Sequence, residues 1–483
     1  MLIAITRINF NKKYLFFIFF IFFLNLAFYL TTINNVWVSD DYGIIFGLKL
    51  FKLINHEESI IFINPENRFQ PVYWFVSQYI PSDYRIWHGF VVLVYFLTAV
   101  AVYHFAYIIS KNQNFSYFAS FIFSINYSIS AKSLIWACFF AHIFHVFFGL
   151  ISCLIFYQYY KSKNKTKYLH LLIFFILSLI NFSLTEGGVI YIFLNLFFLF
   201  FLFEKNYILL YKNFFLLSIP LLIYFLSSNY FTGSPVSTLE NRSKLSSQNY
   251  YKNIFLKKGE ELYYYRSTYS PRDLKGYTLR FSDNILNSLN LSSLEKSFHN
   301  IKSLIKPKLV IVIFLFCFFL AFTIVYLTSI LYKNKKLKDY TKYFIFYLTV
   351  LLIYSLIYHR RDLNLLLSVS SSLLLAKILV DLVEIKEKLL FVFILSSFLI
   401  PSIIYSYTKF NYFGDFNSKE NIQNFNELKI KSKQQFDVNY FEKNKESKFY
   451  YYYINFDGNK SYLRTEFKGL NYFDFTNKLI NKN

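Results

Sequence analysis

Cysteine, proline and glycine are scarce in this chain, at 3, 8 and 12 of 483 residues. The three cysteines, Cys138, Cys153 and Cys317, all sit inside apolar runs, and they form neither a disulfide framework nor a metal-ligand spacing. Alanine is also scarce while Lys, Asn, Ile, Phe and Tyr abound, which looks like a global codon bias. No phosphate-binding loop, glycine-rich dinucleotide loop, serine elbow or His-Glu-x-x-His stretch occurs, so soluble nucleotide chemistry has no support. Acidic residues are few beside basic ones, 28 against 51, for a formal net charge of +23. That excess does not point to nucleic acid. The lysines gather in short loops between apolar segments, where membrane topology explains them better.

What is abundant sets the class. Hydrophobic residues make up 55% of the chain and aromatics 23%, in blocks long enough to cross a bilayer. A hydrocarbon core of about 30 Å needs roughly 20 apolar residues in a helix. The reading is an all-α polytopic membrane protein. Arg7, Lys12 and Lys13 precede the first run, Tyr14 to Thr32. That run is too long for a signal-peptide core and has no small-residue cleavage site after it, so it reads as retained, with the N-terminus inside. Further spans are expected at 89–109, 115–130, 135–158, 168–185, 187–203, 213–230, 309–331, 342–358, 363–380 and 389–407, about eleven in all. Inner loops carry Lys161, Lys163, Lys165 and Lys167, then Lys333, Lys335, Lys336 and Lys338, whereas the short outer turns hold only Lys132, Arg360 and Arg361 as basic residues. The span at 115–130 is the weakest, because it carries Ser116, Ser120, Ser124, Asn126 and Ser128.

This topology leaves two long outer loops, 33–87 and 231–306. A transmembrane domain of 1–407 is then followed by an extracytoplasmic segment, 408–483. Ile44 to Ile54 is apolar enough to lie along the membrane surface. Ser292 to Glu295 has capping-box spacing ahead of an amphipathic helix built on Leu294, Phe298, Ile301 and Ile305. In the C-terminal segment, Asp457-Gly458-Asn459 is a hairpin signal. There is no internal repeat.

The stretch Trp37-Val38-Ser39-Asp40-Asp41-Tyr42-Gly43 follows the first span at the rim of the membrane. Two adjacent carboxylates there are either well solvated or in use. They can serve as helix-start charges beside a Ser39 cap, as a functional pair, or as both. The other charges at the outer ends of the spans are Arg68, Lys132, Glu186, Arg360 and Arg361. A carboxylate can take a proton from an acceptor hydroxyl, and an arginine can hold a departing phosphate bidentately. Plainer uses are snorkelling for Arg360 and Arg361, a helix-start carboxylate for Glu186 and a solvated loop charge for Lys132. His142 and His145 lie one turn apart, but no third metal ligand is visible, and polar contacts within the bundle explain them better.

At this point the pattern resembles the GT-C superfamily of membrane glycosyltransferases, to which protein O-mannosyltransferases and the lipid A aminoarabinose transferase belong. One span followed by an outer Asp-Asp, a large first loop and many spans is the shared outline. Asn67-Arg68-Phe69-Gln70-Pro71 resembles the Arg-x-x-Pro element of the first loop. Ser183-Leu184-Thr185-Glu186-Gly187-Gly188 is similar to the Ser-Lys-Glu turn, with Thr185 where that family has lysine. Arg361-Asp362-Leu363-Asn364-Leu365-Leu366-Leu367-Ser368 resembles the Arg-Tyr-Leu-x-Leu-Pro-Ser element, without its aromatic residue and proline.

The resemblance implies a polyprenyl-phosphate sugar as donor and a glycan, lipid or protein acceptor presented outside, with lipids around the body. Transfer would invert the anomeric centre. Asp40 would be the general base and Asp41 would orient it or the sugar. Arg361, with Arg360 or Arg68, would stabilise the lipid phosphate. The expected location is a bacterial plasma membrane. No cofactor follows from residues or resemblance, and a divalent metal stays open. The alternatives are a transporter or flippase of lipid-linked glycans and a non-catalytic envelope scaffold. Transporters place ionisable residues near mid-bilayer and often show repeats. Here the expected topology gathers the charges at one face, which favours the enzyme.

Overall fold

The computed structural model describes residues 12–30, 33, 69–80, 84–126, 134, 140–162, 166–203, 207–235, 273–290, 329–333, 337–356 and 365–412. Their regular structure is all helical. In chain order the helices are α1 (Lys12–Tyr29), α2 (Pro71–Gln78), α3 (Tyr84–Ser110), α4 (Gln113–Ile125), α5 (Phe140–Lys161), α6 (Thr166–Leu184) and α7 (Ile192–Phe203). They continue with α8 (Tyr207–Thr232), α9 (Leu274–Ser288), α10 (Thr341–Leu356), α11 (Leu365–Ile385) and α12 (Lys388–Tyr412). Two 3₁₀ turns, Glu186–Tyr191 and Leu337–Tyr340, lead directly into α7 and α10.

Six helices among the described residues are long and apolar enough to cross a membrane, namely α1, α3, α5, α6, α8 and α11. Shorter apolar stretches occupy Gly187–Leu202 and Lys388–Ile403. Large apolar side chains also point outward, among them Phe16, Phe19 and Phe23 on α1 and Phe215, Leu222 and Leu226 on α8. Exposed apolar faces of that extent suit lipid rather than water. The expected span at 309–331 lies mostly outside the described residues.

α4 lies at the centre of the bundle, packed by α1, α3, α11 and α12. It is shorter than the span expected at 115–130. Asn112 caps it, its side chain accepting from the Phe115 N–H at 3.1 Å. Its serines are not turned to water. Ser120 Oγ donates to the Ala99 carbonyl of α3 at 2.7 Å, while Ser116 and Ser124 bond back to Asn112 and Ser120. Small hydroxyl residues let helices approach closely inside a membrane body. Ser368, Ser371, Ser372 and Ala376 are buried on α11, which packs against α4 as extensively as α3 does. The last carbonyls of a helix have no partner within it. In α4 the Phe123, Ser124 and Ile125 carbonyls accept hydroxyl protons from Tyr95 of α3, Tyr29 of α1 and Ser402 of α12.

Candidate functional site

Of the charged residues singled out in the sequence, Asp40, Asp41, Arg68, Lys132, Arg360 and Arg361 lie outside the described residues. So do Ile44–Ile54, the helix expected after Ser292 and the hairpin at Asp457. Glu186 is placed by its backbone: it opens the 3₁₀ turn Glu186–Tyr191. The structure therefore speaks to the Glu186 stretch and to the residues around it.

That turn is built tightly. α6 ends at Leu184, Thr185 is extended at φ −154° and ψ 160°, and the Gly188 N–H donates back to the Thr185 carbonyl at 2.8 Å. His145 of α5 fastens it from the side. Its Nδ1 lies 2.7 Å from Asn181 Oδ1 and its Nε2 lies 2.7 Å from Thr185 Oγ1. An amide oxygen only accepts, so Nδ1 carries the proton, and in the neutral ring Nε2 accepts from the Thr185 hydroxyl. The imidazole stacks on Tyr191, with centroids 5.6 Å apart and planes at 23°. Two glycines make room for this. A Cβ on Gly188 would stand 2.2 Å from the Asn181 carbonyl oxygen and 2.8 Å from His145 Cε1. One on Gly149 would stand 2.6 Å from Tyr191 Cδ1.

The Thr185 hydroxyl is committed to His145. The position fastens the turn. His145→Ala removes both hydrogen bonds and the stacked ring, leaving buried Asn181 without this partner. An expected cost of about 2–4 kcal/mol follows from unsatisfied polar groups plus the space vacated. Thermal unfolding of the solubilised full chain checks it.

A second contact brings another sequence element to the same place. Phe69, the residue after Arg68, is buried in a cluster with Phe182 and Tyr224, and Val189 of the 3₁₀ turn packs against it. The Tyr224 hydroxyl donates to the Phe69 carbonyl at 3.2 Å across 155 positions of sequence. The Phe69 ring also stacks on Phe231 at 5.4 Å and 9°. Pro71 then starts α2, where its missing N–H costs nothing, and α2 packs on α6. Tyr73 of α2 stacks on Phe140, the first residue of α5, at 5.2 Å. The described end of the Asn67–Pro71 stretch and the Thr185–Gly188 turn thus share one corner of the molecule, formed by α2, α5, α6 and α8.

Sequence reasoning missed two sets of polar residues. The first is on α9, within the loop expected at 231–306. Asp273 caps this helix, accepting from the Gly276 N–H at 2.7 Å. Arg280 and Asn284 both reach Ser355 of α10, while Ser288, about two turns further along, meets Tyr347, about two turns back. The two helices therefore run antiparallel, and α9 packs into the body alongside α10. The signal was present as polar residues at 280, 283, 284, 287 and 288, a helical stripe.

The second set is Lys377 and Asp381 on α11, an i, i+4 pair in an apolar helix. Lys377 Nζ is 2.9 Å from Asp381 Oδ1, and the Tyr340 hydroxyl donates to Asp381 Oδ2 at 2.6 Å. Burial, and then the hydrogen bond to Asp381, push the Tyr340 hydroxyl far above its ordinary range, so it remains a donor. Both carboxylate oxygens are engaged. The cluster ties the Leu337–Tyr340 turn to α11 and offers no open group for chemistry.

Among the described residues no group of three or more His, Cys, Asp or Glu converges to hold a metal ion. Both ring nitrogens of His145 are taken up by Asn181 and Thr185, as expected of a bundle contact. What the corner provides is a part-buried, glycine-tight turn that places the backbone of one carboxylate residue beside the chain that follows Arg68. Compared with family models, curated proteins and solved structures, the chain matches none of them.

Proposed function

We propose that this protein is an integral membrane glycosyltransferase of GT-C type. It takes a sugar from a polyprenyl-phosphate donor and gives it to an acceptor on the extracytoplasmic side of a bacterial plasma membrane. One observation carries the reading: the described part of the Arg68 stretch and the Glu186 turn, read separately as motif elements, pack in one cluster. Asp40 acts as general base on the acceptor hydroxyl, with Asp41 orienting it or the sugar. Arg361, with Arg360 or Arg68, balances the phosphate charge as the lipid leaves, and Glu186 and Lys132 border the same site. A direct displacement of this kind inverts the anomeric centre. The body carries about eleven spans, with N-terminus inside and C-terminus outside.

The test is donor turnover by the full chain in proteoliposomes. Polyprenyl-phosphate hexoses are offered with glycan, lipid and protein acceptors, and released polyprenyl phosphate is measured. Release with one of these pairs is expected; none with any, from folded protein, overturns the reading. Topology is checked separately. Single cysteines at Glu58 and at Lys163, in a chain without its native cysteines, are expected to label from opposite sides of the membrane. Labelling of both from one side removes the topology.

A further inference from the structure

Three lysines ring the end of α5. Lys111 directly follows α3, Lys161 is the last residue of α5, and Lys167 is the second residue of α6. Lys111 Nζ stands 5.2 Å from the centre of the Tyr157 ring and donates to its hydroxyl at 3.4 Å. Lys161 Nζ stands 5.6 Å from the same ring, and Lys167 Nζ stands 4.9 Å from the ring of Tyr159. Aromatic faces attract cations and so limit where these long side chains reach.

The charge at this place is unbalanced. From Tyr84 to Thr185 the chain has no aspartate or glutamate. Among the described residues no carboxylate pairs with Lys111, Lys161 or Lys167. The junction of α11 and α12 is the opposite case. There Lys377 has Asp381 at 2.9 Å, and Lys386 and Lys388 are interleaved with Glu384 and Glu387. An ammonium carries three protons, of which Lys111 commits one to Tyr157. Lys111 and Lys161 are both exposed, so the remaining donors face outward from the protein.

An apolar wall adjoins the cations. Tyr168, Leu172 and Ile176 stand on successive turns of α6, at 75%, 56% and 48% exposed, leading away from Lys167. A free phosphate would use the cations alone. An amphiphile with an anionic phosphate at one end and acyl chains at the other uses both. α6 is long and apolar enough to cross a membrane, which sets such molecules beside it. We propose that this collar binds the headgroup phosphate of an anionic phospholipid, whose acyl chains lie along α6.

The full chain in neutral detergent is titrated with dioleoyl phosphatidylglycerol, dioleoyl phosphatidylcholine and glycerol phosphate. Native mass spectrometry counts what is bound. Phosphatidylglycerol is expected to bind more tightly than phosphatidylcholine, and glycerol phosphate far more weakly than either. A lysine beside an anionic headgroup is worth about fivefold in affinity. Each of Lys111→Gln, Lys161→Gln and Lys167→Gln should weaken phosphatidylglycerol by about that factor, and the three together by about a hundredfold. Phosphatidylcholine binding should not change. Arginine at all three positions keeps the charge and should keep the preference. The control is Lys333→Gln, Lys386→Gln and Lys388→Gln together, which removes the same charge from exposed positions elsewhere. Lys386, at φ 66°, ends its helix as Lys111 does at φ 56°. This control should bind phosphatidylglycerol as the wild type does. Should the first triple variant fail to fold, its three single variants decide. Equal affinity for the two lipids, equal losses in both sets of glutamine variants, or glycerol phosphate bound as tightly as phosphatidylglycerol overturns the proposal.

Discussion

Asp40→Asn is expected to abolish sugar transfer while leaving the protein folded and inserted. A general base has to be ionised and within hydrogen-bond reach of the proton it removes, and that step contributes about 10²–10⁴-fold in rate. Asparagine has nearly the same size and keeps most of the capping capacity of aspartate, but it has no basicity at neutral pH. The competing role, favourable charge at a helix start beside Ser39, is worth only about 1 kcal/mol of stability and need not touch turnover. The two roles therefore separate in one experiment. Donor turnover and thermal unfolding are measured on the same preparation. A loss of at least about 10²-fold with an unchanged unfolding midpoint assigns the base. Asp41→Asn is expected to be damaging as well. If both single variants turn over at the wild-type rate, the pair is a helix start and the catalytic assignment fails.

The second large effect is expected from Gly188→Ala, a change of one methyl group. The new Cβ would lie 2.2 Å from the carbonyl oxygen of Asn181 and 2.8 Å from a carbon of the His145 ring. A side-chain tip could swing aside, but the Asn181 carbonyl belongs to the backbone of α6 and cannot. Either α6 or the 3₁₀ turn must shift, and overpacking of this kind costs about 1–3 kcal/mol or more. The shift falls on the residue two positions after Glu186 and next to Val189, which packs on the Phe69 cluster. A displacement of about 1 Å in a positioned group can cost on the order of 10²-fold in rate. Gly188→Ala should therefore lower both the unfolding midpoint and turnover. Gly89→Ala is the control. That glycine lies inside α3, and a Cβ added there would meet no heavy atom within 4 Å, so alanine should be neutral or raise stability by up to about 1 kcal/mol. Equal behaviour of the two variants would show that the turn at Gly188 is not tightly packed.

The sequence made the helical membrane class legible because long apolar blocks are the strongest signal a chain can carry. It was less informative where burial inside protein replaces burial in lipid. α4 looks weak because of its serines, yet those hydroxyls are bonded to carbonyls of α3, α4 and the Asn112 cap. Hydropathy counts a serine as polar whether or not its proton already has an acceptor. α9 escapes notice for a related reason. Its stripe of Arg280, Asp283, Asn284 and Asn287 has helical period, but the usual rule puts such a stripe in water, and here it faces α10. The carboxylate turn at Glu186 is visible from sequence, whereas its fastening to His145 is not. His145 and Thr185 are 40 positions apart, and nothing local links them. Of the two histidines expected to make polar contacts within the bundle, His145 makes them to Asn181 and Thr185.

The end of α4 also constrains how the chain can be assembled in the membrane. A 13-residue helix is short for independent insertion, and its serines weaken it further. Two of the hydroxyls that close its carbonyls, from Tyr29 and Tyr95, are synthesised before α4 and can wait for it. The third comes from Ser402, 277 positions after Ile125. Until then the Ile125 carbonyl lacks that donor. α12 therefore supplies the last of these three donors to be synthesised. A chain stopped before Ser402 is expected to unfold more readily than the full chain, as thermal unfolding of the two would show.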